Sequence, residues 1–251
     1  MTTRPAEDRL RGESQVSGAA VDPLPPGLFP PRRMLEGVSV RLEPLDPAAH
    51  VNELFIASHE DERARAVWTW LYPAPFADEV TFAVWLREGA AAADPVFYAI
   101  RDRASGRASG MAAFMRVAPK DGVLELGHIW FAPALQQTRA STEALVLMLR
   151  HAFDDLGYRR VEWKCNALNA PSRRAALRLG FRFEGIFFRH MIIKGHNRDT
   201  AWYAMLAEEW PDRRAAFAEW LADRNFDAQG RQRRPLARPA SDVLTAGPAA
   251  P

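Results

Sequence analysis

The sequence predicts a mixed α/β domain with a mostly antiparallel central sheet, and two observations lead to this fold class. Three successive strand patterns are separated by the turn residues Ser105-Gly106 and Asp121-Gly122, which is typical of an antiparallel meander. A long helical pattern follows the third of these strands and leads into another strand, which indicates a β-α-β unit. A meander that continues into such a unit excludes both a fully parallel Rossmann sheet and a closed barrel.

Seven strands and five helices follow from the apolar periodicity, in the order β-α-α-β-β-β-α-β-α-β-β-α. Strand patterns occur at 38–43, 96–101, 108–117, 123–131, 160–165, 181–193 and 200–206. Helical spacing predicts helices from 47 onward and at 78–93, 140–156, 171–179 and 211–226. Asp46 is the expected cap of the first helix, Gly157 and Gly180 are expected to follow the third and fourth, and a loop at 194–199 joins the last two strands.

Composition divides the 251 residues into one domain and two tails. Hydrophobic residues make up 48% and charged residues 25%, values that are ordinary for a folded globular protein. The segments 1–35 and 227–251 are instead polar and proline-rich, and such stretches bury too little apolar surface to offset the entropy of ordering. We therefore expect a disordered N-terminal tail at 1–35, a single domain at 36–226 and a disordered C-terminal tail at 227–251.

Charge, cysteine usage and apolar segments limit the classes of function. The 33 basic and 31 acidic residues give a net charge of +2, which argues against a dedicated nucleic-acid binder. No apolar segment is long enough for a membrane span, and the charged N-terminus lacks the apolar region of a signal peptide. The one cysteine, Cys165, favours a reducing compartment and is expected to be a buried structural thiol. The six histidines lack ligand spacing, so we expect no metal. The charge, the cysteine and the lack of a long apolar segment together predict a cytoplasmic protein without a nucleic-acid or membrane partner.

The strand, loop and helix at 124–153 carry the strongest indication of a binding site. The loop and the first helical turn concentrate polar side chains: Gln136, Gln137, Thr138, Arg139, Ser141 and Thr142. Helix N-termini bind phosphates through their free N–H groups and the positive end of the helix dipole. An anion site is therefore one interpretation, and an ordinary capped helix, in which serine and threonine serve only the chain, is the other.

Three blocks of residues occur in order along the domain: Gln136 to Ala144, Asn169 to Phe181, and Lys194 to Asp199. The first resembles the acetyl-CoA-binding loop of the GNAT N-acetyltransferases, Q/R-x-x-G-x-G/A, followed by the A-T-E-A stretch of the RimJ/RimL branch. The second is similar to that branch's N-x-x-S…LGF helix, and the third resembles its turn between the last two strands. The resemblance covers residues 37–206, and the predicted order of elements is that of the family.

The resemblance implies acetyl-CoA as co-substrate and no metal. Backbone amides of the last meander strand would polarise the thioester, the loop would hold the pyrophosphate, and the next crossover would contact the pantetheine. The residues implied are Ile129, Trp130, Phe131, Gln136, Gln137, Thr138, Arg139, Ala140, Ser141, Thr142, Asn169 and Ser172. Two positions depart from the family pattern, because Arg139 replaces the central loop glycine and Ala176 stands where many relatives carry a tyrosine general acid.

Glu125 is the best candidate for the catalytic base, since it precedes Gln136 at the offset at which some family members carry a catalytic glutamate. His128 is the second catalytic candidate, with a structural histidine as the favoured alternative, and strand alternation predicts that it lies on the opposite face from Glu125. For the amine acceptor, the candidates are Trp68, Trp70, Tyr72 and Arg189. The aromatic residues fit equally well as core that covers the sheet.

These expectations combine into an acetyl-CoA-dependent N-acetyltransferase, in which a primary amine attacks directly in a ternary complex. A protein or peptide α-amine is the favoured acceptor, because its pKa of about 7.7–8.0 is well below the lysine value of about 10.4. A small amine (an amino acid, a polyamine or an aminoglycoside) is the alternative acceptor. A non-catalytic acyl-CoA-binding module is a further alternative, suggested by Arg139 and the missing tyrosine. The protein is expected to be a monomer or a homodimer.

Overall fold

An eight-stranded sheet organises the protein in the computed structural model, which describes residues 20–25 and 28–237. Along the sheet the strands follow the order β1-β2-β3-β4-β5-β6-β8-β7. The strands are β1 (Leu35–Glu36), β2 (Val40–Pro44), β3 (Val96–Asp102), β4 (Ala108–Ala118), β5 (Val123–Phe131), β6 (Arg160–Asn166), β7 (Arg182–Ile193) and β8 (His196–Leu206). In the described chain β5 and β6 pair in parallel, whereas the other neighbouring strands pair antiparallel, which confirms the predicted mixed sheet. The two-residue β1 is an eighth strand beyond the seven predicted, because so short a segment shows no alternation.

Six α-helices cover the two faces of this sheet in the described residues. They are α1 (Pro47–His59), α2 (Glu62–Arg65), α3 (Glu79–Ala91), α4 (Arg139–Arg150), α5 (Ala170–Leu179) and α6 (Trp210–Leu221). As predicted, the Asp46 side chain caps α1 by accepting from the Ala48 amide, and Gly180 follows α5 with a φ of 92°. Within the part of the chain that the structure describes, no helix has the length and apolar character needed to cross a bilayer.

Each face of the sheet has its own hydrophobic core. The main core joins the sheet to α4, α5 and α6, and Leu124 and Leu126 of β5 point into it. The second core joins the other face to α1, α3 and the segment between α2 and α3, with Trp68 and Phe82 fully buried. Burial of one such side chain stabilises the fold by about 1.5–3 kcal/mol. Since Leu124 and Leu126 face the main core, Glu125 between them faces the second-core side of the sheet.

Strands β5 and β6 separate part-way along their length, and this separation positions the site. They pair only where Val123, Leu124 and Glu125 meet Arg160, Val161 and Glu162. Beyond that point β5 continues beside β4 as far as Phe131, while β6 continues beside β8 as far as Asn166. The β6-facing edge of 126–131 is therefore left open, with backbone groups that need partners.

The observed boundaries differ from the predicted ones at a few places. The first long strand begins at Val40 rather than at 38, because Val38 is exposed. Strand β8 begins at His196, so the predicted loop at 194–199 is a tight turn in which Lys194 and Gly195 both have positive φ. The α-helix after Arg139 ends at Arg150 and continues as a π-turn, and α6 ends at Leu221 rather than at 226.

The described parts of both predicted tails pack against the main core. Leu28 and Leu35 are buried there, and the Tyr158 hydroxyl donates to the Leu28 carbonyl. Near the other end, Leu236 is buried in the same core, and the Trp220 indole donates to the Gln232 side chain at 2.8 Å. The packed region thus extends beyond the predicted limits 36 and 226, because single leucines in a polar segment dock without any periodicity. The tail predictions for 1–19, 26–27 and 238–251 lie outside the described residues.

We predict that Leu236→Ala destabilises the protein, because it removes a side chain that anchors the C-terminal segment in the core. The expected cost is about 2 kcal/mol, or a fall in Tm of about 4–8 °C in a chain of this size. Leu168→Ala is the matched control, since Leu168 is 77% exposed and should leave Tm nearly unchanged. Equal Tm values for Leu236→Ala and the wild type, measured by calorimetry, would contradict the docking of this segment.

Candidate active site

A cavity of about 1240 Å³ opens where β5 and β6 separate. Among the residues predicted to bind the co-substrate, those that line it are Ile129, Trp130, Phe131, Gln136, Gln137, Thr138, Arg139, Ser141, Thr142, Asn169 and Ser172. Ala140 is buried and does not line it. The cavity also receives both catalytic candidates, Glu125 and His128, and the aromatic residues Trp70 and Tyr72. Residues that are distant in sequence therefore share one space.

A β-bulge in β5 brings His128 to the same face of the sheet as Glu125. Between the pairs Met111–Trp130 and Ala113–Gly127, β5 has one residue more than β4, and His128 has a φ of 49°. The His128 ring packs against Phe97 and Tyr72, on the second-core side that Glu125 also faces. The prediction that the two residues lie on opposite faces is therefore wrong, because the extra residue interrupts strand alternation.

Glu125 lies at the separation point, 4% exposed, within a cluster of charges. Its Oε2 is 3.1 Å from Lys164 Nζ and 3.3 Å from Arg116 Nε, and the same lysine is 2.6 Å from Glu162 Oε2. Burial raises the pKa of Glu125, and the positive charges of Lys164 and Arg116 oppose that effect. A carboxylate with a raised pKa holds a proton more strongly than an exposed glutamate does, which suits a general base near neutral pH.

His128 is less suited to take up a proton. Burial among aromatic rings lowers its pKa to about 4, so the imidazole is neutral at pH 7 and its protonated form is unfavourable. Its packing against Tyr72, Trp85 and Phe97 joins the wall of the cavity to the second core. The side chain is therefore better placed to shape the cavity than to act as a base.

Helix α4 directs its N-terminus into the cavity. Thr138 caps the helix by accepting from the Ser141 amide, and the Ser141 hydroxyl accepts in return from the Thr138 amide at 3.2 Å. The preceding Gln137 has a φ of 59°, which turns the chain from loop into helix. The amides of Arg139 and Ala140 occupy the first turn, where no intrahelical acceptor exists. The capping interpretation is confirmed for Thr138 and Ser141, while the amides of Arg139 and Ala140 remain able to bind an anion, so the anion site stays a prediction.

Arg139, which replaces the family's loop glycine, ties α4 to the C-terminal segment. Its guanidinium donates to the Leu221 carbonyl, lies 2.8 Å from an Asp223 carboxylate oxygen and stacks over the Phe226 ring at 4.9 Å. The helical start at Arg139 needs no left-handed backbone, so a side chain is tolerated here. The arginine is thus engaged by the protein itself.

The C-terminal segment forms one wall of the cavity, which the sequence analysis missed. Its lining residues are Trp220, Phe226, Gly230, Arg231, Gln232, Pro235 and Leu236. Beside them Arg178 of α5 stacks on the Trp220 ring at 4.7 Å and donates to the Thr142 hydroxyl at 3.2 Å. No acidic partner of Arg178 occurs in the described chain, and burial lowers its pKa. A cation next to a helix N-terminus favours the binding of a phosphate.

The crossover helix α5 contributes side chains that are already hydrogen bonded. The Asn169 side chain caps α5 by accepting from the Ser172 amide at 3.1 Å, and the Ser172 hydroxyl accepts from the Trp163 indole at 3.0 Å. Cys165 is buried as expected, and burial raises the pKa of its thiol. A thiol with a raised pKa is a poor nucleophile at neutral pH, so Cys165 is poorly suited to covalent catalysis.

The four predicted acceptor residues occupy three different environments. Trp68 is fully buried in the second core and Arg189 lines a separate pocket of about 250 Å³, so neither lines the large cavity. Trp70 and Tyr72 do line it. The segment that carries them is fastened to the β7–β8 turn, because Lys194 Nζ donates to the Trp68 carbonyl at 2.7 Å.

Two buried cations of this cavity, Lys164 and Arg198, were also missed. Alternation could have found Lys164, because polar Glu162 and Lys164 alternate in β6 with residues of the main core. Arg198 fell in the predicted loop at 194–199, so its place on a strand was hidden. In the described residues no group of three or more histidine, cysteine or acidic side chains could hold a metal ion.

Comparison with known proteins identifies the family. A family model described as the acetyltransferase (GNAT) domain matches residues 39–182. The chain belongs to the GNAT acetyltransferase family. It is therefore an acyltransferase, and GNAT domains use acetyl-CoA as co-substrate and transfer the acetyl group to an amine.

Solved structures share the GNAT fold over most of the chain. A GCN5-related N-acetyltransferase from Brucella melitensis is 48% identical, with a TM-score of 0.81 over 83% of this chain and 94% of that chain. RimL, a ribosomal L7/L12 α-N-protein acetyltransferase, is 17% identical with a TM-score of 0.60, over 69% and 94% of the respective chains, and shows the fold alone. The uncharacterized N-acetyltransferase YnaD of Bacillus subtilis is 36% identical over 87 residues, which span 34% of this chain and half the length of that curated relative.

We predict that Arg139→Ala in this GNAT domain lowers stability, because it removes a charge-assisted hydrogen bond to the Leu221 carbonyl. The expected cost is about 1.5–3 kcal/mol, seen as a lower Tm. Asp223→Ala is the control and should leave Tm nearly unchanged, since that carboxylate is 88% exposed. If Arg139→Ala kept the wild-type Tm and only weakened acetyl-CoA binding, the arginine would serve the ligand rather than the C-terminal segment.

Proposed function

We propose that this protein transfers the acetyl group of acetyl-CoA to an α-amine in a ternary complex. One observation carries the proposal: the separation of β5 and β6 joins an open strand edge, a helix N-terminus and a buried carboxylate of raised pKa in one cavity. These are the three groups that polarise a thioester, hold phosphates and accept a proton from an amine. Membership of the RimJ/RimL branch is part of this proposal.

The open edge of β5 is suited to bind the pantetheine arm and the thioester. Alternate N–H groups of a strand face opposite edges, so Ile129 and Phe131 present the donors that would stabilise the oxyanion, whereas Trp130 between them pairs with Met111 of β4. The other end of the co-substrate would lie at the N-terminus of α4, where the first-turn amides and Arg178 receive its phosphates. Asn169 and Ser172 line the space between these two ends.

In the transfer step, Glu125 removes a proton from the incoming ammonium group, directly or through a water molecule. The free amine then forms a C–N bond to the acetyl carbon, and the C–S bond breaks to release the CoA thiolate. The surplus proton of the new amide nitrogen passes to this thiolate or to solvent. Ala176, at the position of the family's usual tyrosine, is fully buried and offers no acid. The thiolate is therefore expected to leave without a proton donor from that position.

A carboxylate base favours an amine of low pKa. Deprotonation of an α-ammonium group costs less free energy than that of a lysine side chain, because their pKa values differ by roughly 2.5 units, or ~3.4 kcal/mol. The shared fold with RimL, which acts on a protein α-amine, agrees with this acceptor class. A peptide α-amine meets this requirement best. The α-amine of a free amino acid meets it only in part, because the neighbouring carboxylate raises its pKa above that of a peptide α-amine, and a polyamine or a lysine side chain would react poorly.

Titration with acetyl-CoA and an acceptor panel tests this function. Calorimetry should show saturable binding of acetyl-CoA, and CoA release should be fastest with peptides and amino acids that carry α-amines. The panel also includes polyamines, aminoglycosides and lysine with a blocked α-amine. Absence of binding at millimolar acetyl-CoA would contradict the co-substrate site, and binding without CoA release on any amine would contradict the transfer.

We predict that Glu125→Gln reduces kcat at pH 7 by roughly 10²-fold or more while acetyl-CoA affinity is retained. The wild-type rate should fall as pH drops through a value above 4.5, because burial raises the pKa of Glu125 above that ordinary value and only the ionised form is a base. The variant should recover partly at high pH, where free amine is abundant.

Glu162→Gln is the matched control for this prediction. Glu162 contacts the same lysine, and its negative charge raises the pKa of Glu125. Its removal should keep kcat at pH 7 and move the acid side of the rate profile to lower pH. Wild-type turnover and pH profile in Glu125→Gln would remove Glu125 from the mechanism.

A further inference from the structure

Arg198 of β8 is a buried cation without an anionic partner. It is 7% exposed and lines the large cavity, and its buried Nε has no hydrogen-bond partner in the described chain. The guanidinium carbon lies over the face of the Tyr72 ring, 5.3 Å from the ring centre. A buried guanidinium that is not paired destabilises the protein, so the arrangement indicates that something else supplies the negative charge.

The other buried cation of the cavity shows the contrast. Lys164 contacts both Glu125 and Glu162, and its Nζ also lies 3.9 Å from the centre of the Trp202 ring. Its charge is therefore balanced within the protein, whereas that of Arg198 is not. Lys164, Arg116 and Arg198 are three cations beside two carboxylates. The carboxylates are those of Glu125 and Glu162, so a net positive charge is left for a ligand to balance.

The position of Arg198 associates it with the acceptor rather than with the phosphates of acetyl-CoA. Ala201 and Tyr203 of β8 face the main core, on the side of α4, so Arg198 points to the opposite face by strand alternation. On that face Tyr72 contacts both Arg198 and His128, so a single ring separates the arginine from the bulge of β5. The proposed phosphate site lies at the N-terminus of α4, on the other side of the sheet.

We propose that the acceptor is an amine that also carries a carboxylate, and that Arg198 binds this carboxylate while the amine reaches Glu125. The inference rests on the proposed acetyl transfer and narrows its acceptor class. Arginine suits the role because its planar guanidinium can bind both oxygens of a carboxylate. Tyr72 holds the guanidinium by cation–π contact, which orders it before the ligand arrives. A free amino acid and a peptide that begins with an acidic residue share this chemistry.

Matched acceptor pairs test the inference with the full-length protein. The free amino acids glutamate and aspartate are compared with their neutral amides, glutamine and asparagine, and the same four residues are compared at the N-terminus of otherwise identical peptides. An α-carboxylate is tested with glycine against glycinamide, and kcat/KM is expressed per unprotonated amine because glycinamide has the lower amine pKa. The acidic member of at least one pair should have a kcat/KM at least tenfold higher, and the pair that shows this preference distinguishes free amino acids from peptides.

Arg198→Met should abolish the preference by raising KM for the acidic acceptor about tenfold or more, with KM for the neutral acceptor and for acetyl-CoA unchanged. Arg198→Lys should retain part of the preference, because it keeps the charge without the planar fork. Arg107→Met, which removes an exposed arginine in the β3–β4 turn, is the charge control and should behave as the wild type.

A stability measurement gives a readout that does not depend on turnover. Arg198→Met should raise Tm in the absence of acceptor, because it removes an uncompensated buried charge, whereas loss of a structural contact would lower it. The acidic acceptor should raise the Tm of the wild type and not that of the variant.

Several outcomes would overturn the inference and leave the acetyl transfer intact. They are equal kcat/KM within all pairs, an equal loss on both members in Arg198→Met, or a loss confined to acetyl-CoA affinity. Absence of CoA release with every acceptor would contradict the proposed function itself. In that case the Tm measurement with the acidic acceptor still decides whether Arg198 binds a carboxylate.

Discussion

The contacts of Lys164 with Glu125 and Glu162 lie where β5 and β6 separate. The rest of the site depends on this point of separation. These two carboxylates sit at the last paired position of β5 and β6, and the lysine joins them there. Beyond this point each strand stays with its outer neighbour, so the gap opens without loss of the remaining pairing. A buried ion pair offsets its desolvation cost only with good geometry and further partners. Here Lys164 bridges the two anions, and Arg116 and Arg160 each contact one of them. The same contact defines the base, because Lys164 opposes the rise in the pKa of Glu125 that burial causes.

The sheet divides the chemistry between its two faces. On the side of the main core, the N-terminus of α4, Arg178 and the C-terminal segment surround the region suited to phosphates. On the other side, Glu125, the bulge at His128, Tyr72 and Arg198 surround the region suited to an acceptor. The gap between β5 and β6 connects the two. This division means that acceptor preference can change through side chains of one face without altering the residues that hold the co-substrate.

Local sequence patterns predicted most of the strands and helices and the polar loop at 136–142. They failed where the structure depends on contacts between residues that are distant in sequence. Strand β5 occurs at its predicted position because apolar alternation and the turn at Asp121-Gly122 define it within the sequence. The facing of His128 could not be predicted, since a bulge depends on how β5 pairs with β4. Leu236 was assigned to a tail because one leucine among prolines and arginines has no periodicity, although it docks in the core. Arg198 was hidden by the assumption of a longer turn after Ile193, whereas two residues with positive φ suffice.

Hydrogen exchange of backbone amides, measured with and without acetyl-CoA, tests most directly whether the open strand edge is the site of the thioester. Amides of 126–131 that lack a partner in the free protein should exchange more slowly when the co-substrate binds, together with those of 137–141 at the start of α4. Amides of β3 at 98–101, which lie between β2 and β4, should exchange at an unchanged rate. Protection of 137–141 without any change at 126–131 would contradict this account, because the co-substrate would then bind outside the gap between β5 and β6.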